Sequence, residues 1–452
     1  MLFTKEDINN KKITIIGLQK SGVAAAQLAS MNGAEVFASD FIDNKITKNN
    51  YQKLTDNNIS CEIGEHTDRI FESDLWIVSP GVPKNIDIIK KAKSLDIEVV
   101  GEIEFASRFT SLPIIAVTGS NGKSTTVSII YDMLKNSKHK PVLAGNIGNP
   151  FSSAVNELNQ KLIQGNIFIL EISSFQLEFI DQFHPYISLY LNISPDHLDR
   201  HENMEEYVRT KLKMVKNMTN EDFIIFNAED KTLNTSFGNS VVKAIPYSLK
   251  KESKFFSINT SKVYDSNHES FIEINKIRLK GRHNLSNLIA SATIAKILKI
   301  DEDAIKNSMK NFGGIKHRLE FVRELNDVVY INDSKATNMY SVIAALNSFE
   351  NPIILLLGGK NKDSDFRQLL PHAKRHVKHI VSFGEAGGEI ATAIGDAVRL
   401  NKTSSLSQAV ASAHKVASPG DIIIMSPGCA SFDQFNNFEE RGTKFIELVN
   451  KL

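Results

Sequence analysis

The residues Thr118-Gly119-Ser120-Asn121-Gly122-Lys123-Ser124-Thr125 have the make-up of a polyphosphate cradle. Glycines let successive backbone N–H groups turn toward one anion, and a helix opening at the lysine adds its positive end. Lys123 offers a point charge to the β- and γ-phosphates, and Ser124 or Thr125 offers a hydroxyl to magnesium. The loop is a compressed form of the usual motif, because the position six before the lysine is Val117 rather than glycine. The apolar run ahead of it and the helical pattern behind it separate it from a chance glycine turn. A nucleoside triphosphate is the expected ligand.

A phosphate loop calls for a metal partner, and in open parallel sheets such groups collect at the carboxyl ends of strands. Glu171 closes the run IFILE, and Asp196-His197 follow YISLYLNIS. A carboxylate at the end of a buried strand is costly unless paired or bound to a cation, so an ion pair with a lysine competes as the explanation for Glu171. His197, read alone, is a surface histidine. A weaker signature is Gly17-Leu18-Gln19-Lys20-Ser21-Gly22, with Asp40 ending the next strand where a ribose-binding acid would sit. Gln19 stands where a pyrophosphate needs glycine to approach the backbone. That argues against a dehydrogenase and for a Rossmann-like domain holding another nucleotide, or none.

These groups need elements to hold them. Short apolar runs, each followed by a loop and a helical pattern, are the rhythm of a parallel sheet. A first unit carries ITIIG (13–17), VAAAQLASM (23–31), EVFASD (35–40) and LWIVSPG (75–81). A second runs from LPIIAVTG through IFILEISS to the helical NLSNLIASATIAKIL (284–298), which Gly313 and Gly314 are expected to close. Its stretch 240–280 alternates in short pieces and reads as an antiparallel patch. A third carries VVYIND (328–333), PIILLLGGK (352–360), HIVSFGEAG (379–387) and DIIIMSPG (421–428), with a last helix near 434–450. The expected fold class is α/β in three domains, 1–109, 110–314 and 315–452. The first is Rossmann-like, the central one P-loop ATPase-like with a predominantly parallel sheet, and the C-terminal one Rossmann-like.

Composition narrows the function classes. With 53 Lys+Arg against 52 Asp+Glu the net charge is +1, so no global field draws nucleic acid or an anionic membrane, and any anion site is local. Apolar residues at 42% and charged residues at 23% suit a soluble globular chain rather than a disordered one. Cys61 and Cys429 stand too far apart for a metal cluster or a disulfide framework, and read as buried small hydrophobes of a reducing compartment. The opening MLFTKEDINNKK has no signal-peptide core, and no run reaches the ~18 apolar residues of a membrane span. A cytoplasmic protein without membrane insertion is expected.

Taken in order, several blocks resemble the Mur ligase family, the ATP-dependent amide ligases of bacterial cell-wall precursor synthesis. They are the phosphate loop with its departure at Val117, GNIG (145–148), the strand-end Glu171, NISPDHLDRH (192–201), HN (283–284), HRLE (317–320) and DSKATN (333–338). The likeness spans essentially the whole chain apart from 230–280. LEISSFQLE (170–178), SPGCASFDQFNNFEERG (426–442) and GLQKSG are similar to the branch that adds D-glutamate. The resemblance implies that a carboxylate of UDP-N-acetylmuramoyl-L-alanine attacks the γ-phosphate of ATP. The amine of D-glutamate then attacks the acyl phosphate, giving amide, ADP and phosphate. Two anions meet in the first step, so cations must offset their repulsion.

Roles follow from the resemblance, residue by residue. Lys123, Lys211, His197 and Lys335 are the expected catalytic residues. One magnesium ion would use Ser124 (or Thr125) and Glu171, and a second His197, beside a carbamate formed on Lys211 from carbon dioxide. Gly119 to Thr125 would hold the phosphates of ATP, Arg318 and Lys335 would reach them, Asp333 the ribose, and Asn284 and Asn287 the adenine side. Leu18, Gln19, Asp40, Phe41, Ser79, Pro80 and Gly81 would line the uridine-nucleotide site, with Asn146 and His197 at the sugar-peptide part. Thr337, Lys362, Ser431 and the backbone at Phe438 would take D-glutamate, Lys360 competing with Lys362. Without the resemblance, Lys211 reads as a solvated helix lysine, and Asn284 and Asn287 as an N-cap and an exposed amide. His317 could be simple packing. Because these residues come from different domains, the implied mechanism includes closure of the third domain onto the middle one to exclude water, and a monomer is expected. Rival readings are a family member with another amino acid, a folate-type glutamate ligase, and an ATP-gated binding protein without ligation.

Overall fold

The structure, a computed structural model, describes residues 5–196, 200–238, 242–349, 351–361 and 364–452. The chain divides into two compact units, Met1–Phe312 and Gly313–Leu452. The first unit opens with five parallel strands, β1 (Lys12–Ile16), β2 (Glu35–Asp40), β3 (Ser60–Ile63), β4 (Leu75–Val78) and β5 (Glu98–Gly101), ordered β3-β2-β1-β4-β5. The order reverses at β1, so the loop after it opens into the crevice where such sheets take ligands. Helix α1 (Lys20–Met31) leaves that loop pressed against the strand. A Cβ on Gly22 would sit 1.9 Å from the carbonyl oxygen of Gly17, which is why glycine closes the motif.

A second sheet follows, with β6 (Ile114–Thr118), β7 (Pro141–Gly145), β8 (Ile167–Glu171), β9 (Ile187–Tyr190), β10 (Phe223–Asn227) and β11 (Lys243–Tyr247). All are parallel, in the order β11-β10-β9-β6-β8-β7. β6 is buried along its length between β8 and β9, as expected of a central strand that is apolar up to Thr118, and runs into α2 (Lys123–Leu134) through the phosphate loop. Helix α3 (Met204–Leu212) lies beyond β9, and α4 (Arg282–Ile297) packs on α2.

Three expectations change here. The stretch 240–280 is not one antiparallel patch: 243–247 is β11, the parallel edge, and only β12 (Phe256–Ile258), β13 (Lys262–Asp265) and β14 (Ser270–Glu273) pair antiparallel. An edge strand is half exposed, so β11 alternates like a hairpin strand and tolerates Pro246. Helix α4 does not run to the glycines. Lys299 turns left-handed (φ 56°), and Asp301 accepts from the N–H groups of Asp303 and Ala304 to start α5 (Glu302–Asn311). Cys61 is only partly buried, whereas Cys429 is buried.

The first two sheets share one apolar core, and a six-residue helix, Glu102–Ser107, joins them. Glu102 accepts from the N–H of Ser152 at 2.6 Å. Glu104 accepts from three consecutive N–H groups, of Asp181, Gln182 and Phe183, at 3.0, 3.0 and 2.8 Å. Arg108 holds Glu104 from the other side and also pairs with Glu98.

The second unit has its own sheet, with β15 (Glu320–Leu325), β16 (Val328–Asn332), β17 (Ile353–Gly358), β18 (Val377–Phe383), β19 (Leu400–Lys402) and β20 (Ile422–Gly428). Their order is β15-β16-β20-β17-β18-β19, parallel except for β15. β15 is an addition to the expected strands. It is an exposed edge held by a tight turn with Asn326 and Asp327 both left-handed, the geometry a two-residue hairpin requires. The last helix, α6 (Phe438–Asn450), is capped by Asn437, which accepts from the N–H of Glu440 at 2.7 Å. Among the described residues no helix is long and apolar enough to cross a membrane.

Candidate active site

The phosphate loop is held from below by the chain that follows β9. Asn192 receives the N–H groups of Ser120 and Asn121 at 3.0 and 2.8 Å. The Ser120 hydroxyl bonds the Ser194 backbone and lies 3.0 Å from the Tyr207 hydroxyl. Lys123 folds into the loop, its Nζ donating to the carbonyls of Gly119 (2.7 Å) and Ser120 (2.9 Å). Gly122 has φ 86° and leaves room for Asn287: a Cβ there would sit 2.8 Å from Asn287 Oδ1. Asn287 is therefore a buried neighbour of the loop rather than an exposed amide. Asn284 is not an N-cap either, since α4 starts after Gly281 and the Asn284 amide donates to the carbonyl of Lys280. Ser124 is buried at the start of α2, and Thr125 beside it is half-buried.

Strand register sets Glu171 beside Val117, at the mouth of the loop. It is 2% exposed. Its Oε1 accepts from the Asn146 amide at 2.7 Å, and its buried Oε2 has no hydrogen-bond partner. No lysine pairs with it among the described residues, so the ion-pair explanation fails. A buried carboxylate oxygen with nothing to accept from is unfavourable. An unpartnered carboxylate oxygen at the mouth of a phosphate loop is of the kind that could serve a magnesium ion, with the Ser124 hydroxyl at the start of α2 as a further oxygen donor.

Lys211 is the largest departure from a plain reading of the sequence. It is 1% exposed on α3, and its Nζ donates to Thr118 Oγ1 (3.3 Å) and the Gly119 carbonyl (3.2 Å), 4.8 Å from the centre of the Tyr207 ring. Burial and the neighbouring Lys123 hold its pKa well below the ordinary lysine value, against the opposing pull of Asp196. A lysine so placed gives up its proton more readily than an exposed one. His201, buried with Nε2 at 3.0 Å from the Ser174 hydroxyl, backs Tyr207 edge to face.

In the first sheet, Asp40 is buried and both its oxygens take backbone N–H groups, of Leu18 (2.7 Å) and Ile42 (2.8 Å). The Ser79 hydroxyl donates to the carbonyl of Gly17 at 2.7 Å, so Leu18, Asp40 and Ser79 form one crevice. Gln19 is exposed at its rim, and Phe41 is 69% exposed beside the His66 ring. Sequence reasoning missed Arg200. Its guanidinium donates to the carbonyls of Gly81 (3.1 Å), Pro80 (3.4 Å) and Val82 (2.6 Å) and is paired with Glu178 at 2.7 Å. The crevice loop 79–82 is thereby fastened to the second sheet. A basic residue in NISPDHLDRH with an acid in SSFQLE was the available signal.

In the second unit, Asp333 is buried after β16, with Oδ1 accepting from the Leu319 N–H (3.1 Å) and Oδ2 from the Ser426 hydroxyl (2.7 Å). Burial pushes its pKa up to about 7, against those donors and Arg318. His317 packs: its Nδ1 is 3.0 Å from the Asn332 amide, and a Cβ on Gly442 would lie 2.1 Å from it. Its carbonyl takes the N–H of Lys335, which brings HRLE and DSKATN together. Ser431 is buried in the loop after β20, Phe438 opens α6, and Thr337, Arg318 and Lys360 are exposed. His197 and Lys362 lie outside the described residues.

Comparison with known proteins agrees with this arrangement. Three family models match in order: Mur ligase MurD-like N-terminal domain over 11–101, Mur ligase middle domain over 117–295, and Mur ligase glutamate ligase domain over 317–429. A UDP-N-acetylmuramoylalanine--D-glutamate ligase of Christiangramia forsetii is 38% identical over 98% of this chain and 100% of its own. One of Clostridioides difficile is 36% identical over 99% and 100%. The MurF ligase of Thermotoga maritima, solved in complex with ADP, shares the fold at TM-score 0.53 and 14% identity, covering 100% of this chain and 97% of its own. With a phosphate loop, an orphaned carboxylate and a buried lysine where those blocks fall, and with matches along nearly its whole length, the chain belongs to the Mur ligase family.

Proposed function

We propose that the protein joins D-glutamate to UDP-N-acetylmuramoyl-L-alanine at the expense of ATP, through an acyl phosphate, in peptidoglycan precursor synthesis. The observation that carries this reading is the meeting of Lys123, Lys211 and Glu171 around one loop, in a chain whose relatives bear that activity's name. Lys123 and the N–H groups of Gly119 to Thr125 hold the polyphosphate, and Lys335 and Arg318 reach it from the third domain. Asp333 takes the ribose, and Asn284 and Asn287 the adenine side. Ser124 and Glu171 would hold one magnesium ion and His197 would serve a second, and the ions would supply charge neutralisation for two anions in contact. Lys211, whose burial weakens its hold on a proton, would take up carbon dioxide as a carbamate, an anion that could serve magnesium. Leu18, Gln19, Asp40, Phe41 and Ser79 to Gly81 hold the uridine nucleotide, and Asn146 and His197 the sugar-peptide. Thr337, Ser431, Phe438 and either Lys362 or Lys360 hold D-glutamate.

In this reading the domains are 1–109, 110–314 and 315–452, and the chain works as a cytoplasmic monomer, without nucleic acid or membrane insertion, whose third domain closes over the acyl phosphate. Phosphate release with UDP-N-acetylmuramoyl-L-alanine and a panel of amino acids tests it. D-Glutamate should be preferred over L-alanine, diamino acids and dipeptides; preference for any of them overturns the reading. Rapid ATP hydrolysis without an amino acid would favour a nucleotide-gated binding protein.

A further inference from the structure

Arg441, in the first turn of α6, is 0% exposed, yet no carboxylate lies within ion-pair distance of it among the described residues. Its donors go instead to two carbonyls and a hydroxyl. Nε donates to Ser334 Oγ at 3.0 Å, Nη2 to the Ser334 carbonyl at 2.9 Å, and Nη1 to the Cys429 carbonyl at 3.0 Å. The Ser334 hydroxyl passes the chain on to the carbonyl of Phe438 at 2.8 Å. Gly359 makes room for the guanidinium: a Cβ there would lie 3.0 Å from Nη1 and 2.3 Å from the Ala430 carbonyl. Burial pushes the Arg441 pKa down to about 10, so the group stays cationic at neutral pH.

Burying a cation without a paired anion is costly, and an apolar side chain would serve packing alone better. What only arginine offers is a planar fork that fixes several acceptors at set distances. Its acceptors stand on the loops that carry the amino-acid residues: Thr337 is three positions past Ser334, Ser431 two past Cys429, and Phe438 is itself the end of the relay. We propose that Arg441 is the positioning residue of the amino-acid pocket, setting the spacing of two loops and the start of α6 without touching substrate. The proposal rests on the assignment of that pocket to D-glutamate.

The test separates the two. D-Glutamate-dependent phosphate release by the unaltered protein is measured first; its absence overturns the pocket's assignment and the proposal with it. Arg441→Lys keeps the charge and loses the fork. It should raise KM for D-glutamate about ten-fold or more, as a loop displacement of ångström scale does, while KM for the uridine substrate, held by the other unit, moves less than about two-fold. Arg441→Ala should regain part of its lost activity with added guanidinium. A D-glutamate KM within about two-fold of the unaltered value, or a fall in kcat with all KM values unchanged, overturns the proposal. Should Arg441→Lys fail to fold, Ser334→Ala removes only the Nε acceptor and the relay: a rise in D-glutamate KM of about three-fold or more supports the role, and no rise overturns it.

Discussion

Lys123 and Lys211 bring two amines to one carbonyl, that of Gly119, at 2.7 and 3.2 Å. Two ammonium groups so close repel, and the more deeply buried one gives up its proton more readily. Lys211 is that one. In the proposed function this division would let Lys123 hold phosphate while Lys211 takes up carbon dioxide. Lys123→Ala should lower turnover by about 10²–10³ while calorimetry finds UDP-N-acetylmuramoyl-L-alanine still bound, because the uridine crevice is built on another sheet. Survival of turnover would remove the loop's role. Lys211→Ala should lose at least about 10² in kcat and recover much of it with added acetate or propionate, which replace the carbamate's oxygens. Full activity without additive excludes the carbamate. At this scale the sequence was uneven. The loop and Glu171 are legible because their chemistry lies in consecutive or strand-end residues. Lys211, Asn287, Arg200 and Arg441 are not, since each owes much of its environment to segments tens of residues away or more, and nothing local marks a buried lysine or arginine.

The helix Glu102–Ser107 shows what one short element can hold. It carries two buried acids into the second sheet, and they are satisfied unequally. Glu104 has three N–H groups and Arg108, whereas Glu102 has the Ser152 N–H on Oε1 and an Oε2 without a hydrogen-bond partner. Burial pushes the Glu102 pKa up to about 7 despite that donor. A pKa raised on folding means the folded chain holds the proton more tightly. Its stabilising contribution is full below about pH 4.5 and is lost as pH rises through about 7. Glu102→Gln, neutral at every pH, should therefore match the unaltered protein near pH 5 and be more stable at pH 8, by at most about 3 kcal/mol. Urea midpoints at the two pH values measure this, and an equal gain at both would point to packing instead. Strand-and-helix rhythm made most elements readable. β11, β15 and α5 escaped because two are half-exposed edges and the third follows a break made by one left-handed lysine.

Over the whole molecule, 53 basic and 52 acidic residues leave nothing to draw in substrates that are nearly all anions. Attraction falls to a few placed cations and to the N–H groups of helix starts. The second unit is built to stand alone: among the described residues its apolar cores contain none from before Leu319. Residues 313–452 made by themselves should fold, with a cooperative thermal transition seen by circular dichroism. A gene cut after residue 109 has a different outcome. Glu102 then leaves behind the Ser152 amide, and Glu104 all three of its donors. The longer fragment is left with Phe151 and Phe183 uncovered, residues of a core that belongs to both pieces. Segment 1–109 is expected to be aggregation-prone or unfolded although it holds all five strands of the first sheet. Six residues between two sheets thus decide which parts of this enzyme can be exchanged as modules, and a border between substrates need not be a border for folding.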